Sequence, residues 1–212
     1  MRELPFPLAD RSERWPVVSS RDLHRDHWVV ALRADQVQRP GHPDEKPFRR
    51  LVLEHPGAVI VLAVDDEERV FCLSQYRHAA ARRFVELPAG LCDGGDEDAL
   101  EVARRELVEE AQLEAGEWTH LTSTWSSPGI SGELMHVYLA RDLREASRGD
   151  FELAHEEADM EVGWVGFDDL LEAVLEGRIG DAPLVIAILV AQARGLAGSS
   201  RREARTKEGE HR

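Results

Sequence analysis

The sequence predicts an α/β sandwich with a mixed sheet, and three observations carry that reading. Residues 57–64, GAVIVLAV, form a β-branched apolar run too short for most helices, and so a buried strand. Residues 86–113 pass from the end of an apolar strand through a Gly-rich loop into an acidic amphipathic helix. Residues 167–176 and 181–195 read as two further helices, each with an Asp near its start.

Taken in order, residues 1–18 hold three prolines and scattered charge and predict an irregular arm. Residues 22–38, around HWVVAL, predict a strand, followed by a polar loop over 39–47 and a second strand over 48–54. The buried strand 57–64 turns at the acidic residues 65–68 and returns over 69–76, which predicts a hairpin. Residues 82–87 lead into the Gly-rich loop, and 118–126 and 134–141 read as strands around SSPGISGE. A last strand ends at 164–166. The final helix, APLVIAILVAQARGL, is apolar on nearly every side, so it belongs in a core or at a subunit interface. The expected organisation is an arm and small antiparallel sheet over 1–54, a main domain over 55–197 and a disordered polar tail over 198–212.

Composition narrows the function. At 212 residues the chain suits one ordinary domain or a domain with a small appendage, and 42% hydrophobic with 32% charged residues reads as globular and soluble. Twenty-six basic against 41 acidic residues give a net charge of −15, which argues against non-specific binding to nucleic acid or anionic membranes. A nucleotide remains possible if a metal ion and a few arginines line its pocket. Cys72 and Cys92 show no metal or disulfide spacing, and no apolar run suggests a leader or membrane span, so a cytoplasmic location is expected.

The chemistry concentrates on the acidic helix. At about 100° per residue, Glu106 and Glu110 point almost the same way with Glu109 beside them, while Leu100, Ala103, Leu107 and Ala111 form a separate apolar stripe. Like charges at this spacing repel by a few tenths of a kcal/mol per pair, and the helix C-terminus disfavours them further. A cation would relieve both, and Mg²⁺ is typically held by one or two carboxylates plus substrate phosphates. A solvated acidic face is the competing explanation. Pro88-Ala89-Gly90 and Gly94-Gly95 bring backbone near the helix, so a carbonyl can join the carboxylates.

Glu97, seven residues, Arg105-Glu106-Leu107-Val108-Glu109-Glu110 and Leu113 resemble the Nudix signature, Gly-x5-Glu-x7-Arg-Glu-aliphatic-x-Glu-Glu-x-Gly-aliphatic. There are two departures: six residues separate Gly90 from Glu97, and Gln112 stands where glycine is expected. The second puts a side chain at a position suited to a left-handed C-cap, at about 1 kcal/mol. His55-Pro56-Gly57-Ala58-Val59, Gln75-Tyr76-Arg77-His78, Glu86-Leu87-Pro88-Ala89-Gly90, Ser127-Pro128-Gly129 with Glu133, and Glu156-Glu157-Ala158-Asp159-Met160 extend the resemblance to the ADP-ribose pyrophosphatase branch, over roughly residues 25–195.

The resemblance implies a Nudix-type α/β/α sandwich preceded by a small N-terminal sheet that helps build a homodimer. It implies Mg²⁺, with Mn²⁺ as an alternative, on Glu106, Glu109, Glu110 and the Ala89 carbonyl, oriented by Arg105. The substrate would be ADP-ribose, split to AMP and ribose 5-phosphate. A loop glutamate, Glu156 or Glu157, or else Glu133, would serve as base. Arg77, Arg49, Arg50 and Gly129 are the candidates for substrate binding, with Trp28 as an adenine stack or a core residue. Another nucleoside diphosphate derivative (a nucleotide sugar, dinucleotide or flavin cofactor) and a non-catalytic ADP-ribose-sensing module are the alternatives.

Overall fold

The computed structural model describes residues 7–95, 97–149 and 159–199, and divides into two compact units, one of residues 1–55 with 129–131 and one of the remainder.

The N-terminal unit is a three-stranded antiparallel sheet of β1 (Val17–His24), β2 (Ala31–Val37) and β3 (Phe48–Glu54), in the order β1-β2-β3. The expected single strand over 22–38 is broken. Asp26 Oδ1 accepts the Trp28 N–H at 2.8 Å, an Asx turn that folds the chain back, and β1 begins within the stretch read as an arm. Inside this sheet Asp35 is buried, held by Ser20 Oγ at 2.5 Å and by Arg33 Nε at 3.0 Å. Leu53 N–H donates to the Ile130 carbonyl at 2.8 Å, attaching residues 129–131 to β3.

The larger unit is built around β4 (Ala58–Ala63), buried along its whole length. β4 lies in a four-stranded sheet of order β7-β4-β9-β8, with β7 (Ala89–Leu91), β8 (Leu113–Trp125) and β9 (Leu134–Glu145). It pairs parallel to β9 and antiparallel to β7, so the sheet is mixed. A strand buried on both faces reads as a continuous apolar run, the signal at 57–64. Ile60, Leu62 and Val64 face a core with Phe167 and Leu170 of α2 (Phe167–Leu175) and Leu184 and Ile188 of α3 (Ala182–Ala193). Val59, Val61 and Ala63 face Val102, Ala103 and Leu107 of α1 (Ala99–Ala111). Helices therefore cover both sides of β4. α3 buries Leu184, Ala187, Ile188 and Ala191 in this core, while Leu189 on its other side is 40% exposed.

The second sheet has the order β10-β5-β6, with β5 (Arg69–Arg77), β6 (Arg82–Glu86) and β10 (Glu161–Gly166). The predicted hairpin of β4 and β5 survives only at its turn. Asp65 N–H donates to Arg69 O at 3.0 Å and Val64 bridges Val70, after which the two strands enter different sheets. Two sheets let β4 keep β7 and β9 as neighbours while β5 carries its C-terminal end, Arg77, to β6.

Beyond α3, Leu196 and Gly198 are anchored to a buried ion pair. Arg141 Nη2 donates to Glu68 Oε2 and to Leu196 O, both at 2.8 Å, and Glu68 Oε2 also accepts Gly198 N–H at 2.8 Å. Among the described residues no helix is long and apolar enough to cross a membrane.

Candidate active site

Helix α1 starts at Asp98, whose carboxylate accepts the Leu100 N–H at 2.8 Å, an N-cap worth about 1 kcal/mol. Its buried stripe is Val102, Ala103 and Leu107, shifted from the expected set because Leu100 and Ala111 are only partly covered. The helix ends at Gln112, which adopts the left-handed conformation (φ 54°, ψ 41°) and donates its N–H to Val108 O at 3.0 Å. The non-glycine residue at the end of the signature thus makes the turn that glycine makes at lower cost.

The three glutamates are not a solvated face. The Glu106 side chain is 12% exposed and that of Glu109 20%, and Glu110 is buried. Glu110 Oε2 accepts the Ala89 N–H at 2.9 Å, which ties the last turn of α1 to β7. Glu106 packs on Gly90: a Cβ there would overlap its carboxyl group. The Gly-rich segment therefore does what its composition suggested, admitting carboxylate against backbone. Arg105 Nη1 lies 2.8 Å from Glu106 Oε1 and 3.1 Å from Glu109 Oε2. Desolvation works against its charge, but Glu106, Glu109 and Glu97 outweigh that and raise its pKa. With the carboxylates turned toward Arg105 and the Ala89 amide, no three acidic, His or Cys side chains converge into a ready metal cage among the described residues. The donor set still suits a hard divalent cation: several oxygens, mostly shielded from water, at a backbone that leaves them room.

Arg77, at the end of β5, grips Glu86 with both Nε and Nη2, at 2.9 and 2.6 Å. The Glu86 hydrogen bonds chiefly raise its pKa; desolvation opposes them, and Glu86, Glu110 and Asp181 add through space. Asp181 caps α3, accepting the Leu184 N–H at 2.9 Å, and its carboxyl is pushed up to about 6. Burial is the main cause, Glu86 adds to it, and the Leu184 hydrogen bond and Arg77 pull the other way. Sequence reasoning placed Asp181 at a helix start and Glu86 in a family motif but assigned neither a role in the site. A carboxylate at the end of RRFVE, between Val85 and Leu87, was the available signal, since such a group needs a cation when buried.

The remaining candidates are placed as follows. Glu133 precedes β9 and is partly buried, its carbonyl accepting Ser126 N–H at 3.2 Å. Arg49, Arg50, Trp28 and Gly129 belong to the N-terminal unit. Trp28 is 63% exposed in the turn after β1, which removes the core alternative. Arg50 stacks over Phe48 at 4.4 Å. Glu156 and Glu157 lie outside the described residues.

Comparison with known proteins bears directly on this geometry. The family model for the NUDIX domain matches residues 54–187, a span that contains the α1 carboxylates, β7 and the Arg77–Glu86 pair. The chain belongs to the Nudix family. Divalent-metal dependence is general among Nudix hydrolases, in keeping with the oxygen-rich donor set on α1. A Mycobacterium tuberculosis protein named ADP-ribose pyrophosphatase is 42% identical over 176 residues, covering 83% of this chain and 82% of its own. A Bacillus subtilis protein of the same name is 38% identical over 166 residues, covering 76% and 83%. A solved structure titled as an ADP compounds hydrolase superposes with a TM-score of 0.69 at 17% identity, over 89% of this chain and 100% of that one. It shows the Nudix fold, a mixed sheet between helices.

Proposed function

We propose that this Nudix protein hydrolyses the diphosphate of ADP-ribose, with water, to AMP and ribose 5-phosphate, using Mg²⁺ or, alternatively, Mn²⁺. The observation that carries the reading is the packing of Glu106 and Glu110 against the Ala89-Gly90 backbone, with Glu109 joined to Glu106 through Arg105. The two relatives named ADP-ribose pyrophosphatase, matched over most of their length, support the substrate.

Glu106, Glu109, Glu110 and the Ala89 carbonyl would hold the metal, which when bound supplies charge neutralisation at the diphosphate oxygens and polarisation of water. Arg105 orients Glu106 and Glu109 through its shared Nη1. Arg77 offers a cation to a diphosphate oxygen, and a loop glutamate, Glu156 or Glu157, with Glu133 as the competitor, takes the proton from water. Arg49, Arg50, Gly129 and Trp28, all of the N-terminal unit, are the further substrate-binding candidates that the family resemblance implies.

The N-terminal sheet joins two copies into a homodimer. Support comes from β1, an edge strand exposed throughout that carries Val17 and Val18 at 51% and 62% exposure. Light scattering of the purified chain tests it. The two free cysteines fit a cytoplasmic location.

The test is product analysis with ADP-ribose, with and without Mg²⁺, beside nucleotide sugars and a nucleoside triphosphate. Metal-dependent AMP and ribose 5-phosphate, formed fastest from ADP-ribose, is the expected result. Faster turnover of another compound contradicts the substrate. Binding of ADP-ribose without turnover contradicts the reaction and favours a sensor.

A further inference from the structure

We infer that Glu86 is a positioning residue that fixes the Arg77 guanidinium at the edge of the carboxylate platform, with one side of the fork locked and the other left for a diphosphate oxygen. The inference rests on the reaction proposed above and adds a residue to it.

The strand register makes the contact informative. Glu86 pairs with Leu73 and Arg77 with Arg82, so the Arg77 side chain runs back along its own strand to reach Glu86. Nε and Nη2 form the two-point grip on the carboxylate, which sets the plane of the guanidinium as well as its place. Nη1 takes no part in that grip. The two partners differ in exposure: the Glu86 side chain is 8% exposed and that of Arg77 50%. The carboxylate is therefore the fixed wall and the guanidinium the presented group.

Position in the chain ties this pair to the platform. Glu86 stands three residues before Ala89, whose N–H holds Glu110, and Glu110 and Asp181 both act on Arg77 through space. Glu86 in direct contact, and Glu110 and Asp181 through space, all favour the Arg77 charge. A diphosphate arriving there meets a cation whose orientation has already been set, which is where binding geometry is worth most. Arg77 compensates the buried Glu86 charge, but the fold does not require the pair, since apolar side chains of similar size often replace a desolvated ion pair at no cost.

A variant set separates positioning from a purely structural role. Steady-state hydrolysis and thermal unfolding are measured for wild type, Glu86→Gln, Arg77→Ala, Arg77→Ala/Glu86→Gln and the apolar replacement Arg77→Met/Glu86→Met. Glu86→Gln and Arg77→Ala should each lower kcat/KM by about 10–100-fold, and the double variant should lose no more than Arg77→Ala alone, because the two act as a unit. Millimolar guanidinium ion should restore part of the turnover of Arg77→Ala and none of that of Arg77→Ala/Glu86→Gln. The methionine pair should fold and remain defective even if Glu86→Gln unfolds, since it leaves no charge unpaired. Wild-type activity in Glu86→Gln, losses that multiply, rescue that ignores Glu86, or an active methionine pair would each overturn the inference. The set is read on whichever nucleoside diphosphate derivative the wild-type chain cleaves fastest. A wrong substrate assignment then shows in the wild type alone.

Discussion

The carboxyl end of Glu106 occupies the space that a Cβ on Gly90 would need. The atoms in the way belong to a flexible side chain and not to backbone, so Gly90→Ala should fold and push Glu106 aside. We expect turnover to fall by about 100-fold, the scale of a misplacement near 1 Å, with little change in melting temperature. Kinetics with a parallel thermal melt measures both; wild-type activity in this variant would mean that the placement of Glu106 against β7 is immaterial.

Gln112 carries a positive φ of 54° at the end of α1. Glycine has no Cβ penalty there, so Gln112→Gly should stabilise the protein by about 1 kcal/mol, or about 2–4 °C in Tm for a domain of this size. Differential scanning calorimetry measures the shift, and an unchanged or lower Tm would contradict it. Activity should persist, because the substitution removes no carboxylate.

The Arg141–Glu68 pair should behave as a buried one. Arg141→Met leaves Glu68 charged beside the Gly198 amide in a buried position, and breaking such a pair costs about 3–5 kcal/mol. Arg69→Ala, which removes an exposed partner of Asp65, should cost less than about 1 kcal/mol. Equal losses in urea unfolding would contradict the distinction.

Asp181 gives stability a pH dependence of predictable sign. Its carboxyl goes from an ordinary value of 3.8 to about 6 on folding, so the folded state holds more protons between those values. Its contribution is complete below pH 3.8 and is lost as pH rises through about 6. Asparagine keeps the capping oxygen without the charge. Asp181→Asn should therefore gain on wild type in melting temperature from pH 4 to pH 7, and a constant difference across that range would contradict the assignment.

The sequence made the centre of the fold legible where its signals were local. The apolar run of β4 reported burial on both faces, and the spacing of Glu106, Glu109 and Glu110 reported one side of α1. The partners of these elements depend on long-range pairing and were harder to read. The turn at residues 65–68 was recognised, but strand alternation does not say that β4 and β5 part into different sheets. The break between β1 and β2 contains an Asx turn, Trp28 N–H to Asp26 Oδ1, inside a stretch whose pattern reads as one strand. Glu86 and Asp181 acquire meaning only when β6 and the start of α3 meet at Arg77.

The most direct measurement of the central claim is ADP-ribose turnover by Glu110→Gln against wild type, at saturating Mg²⁺, with thermal unfolding of both. The amide oxygen of glutamine still accepts the Ala89 N–H, so the contact that holds α1 to β7 is kept while the charge is lost. The account predicts an intact fold and a loss of at least about 100-fold in kcat, as expected when an electrostatic group at the reacting diphosphate is removed. Full activity in a folded Glu110→Gln protein would show that the carboxylates of α1 are not the platform on which the diphosphate is cleaved.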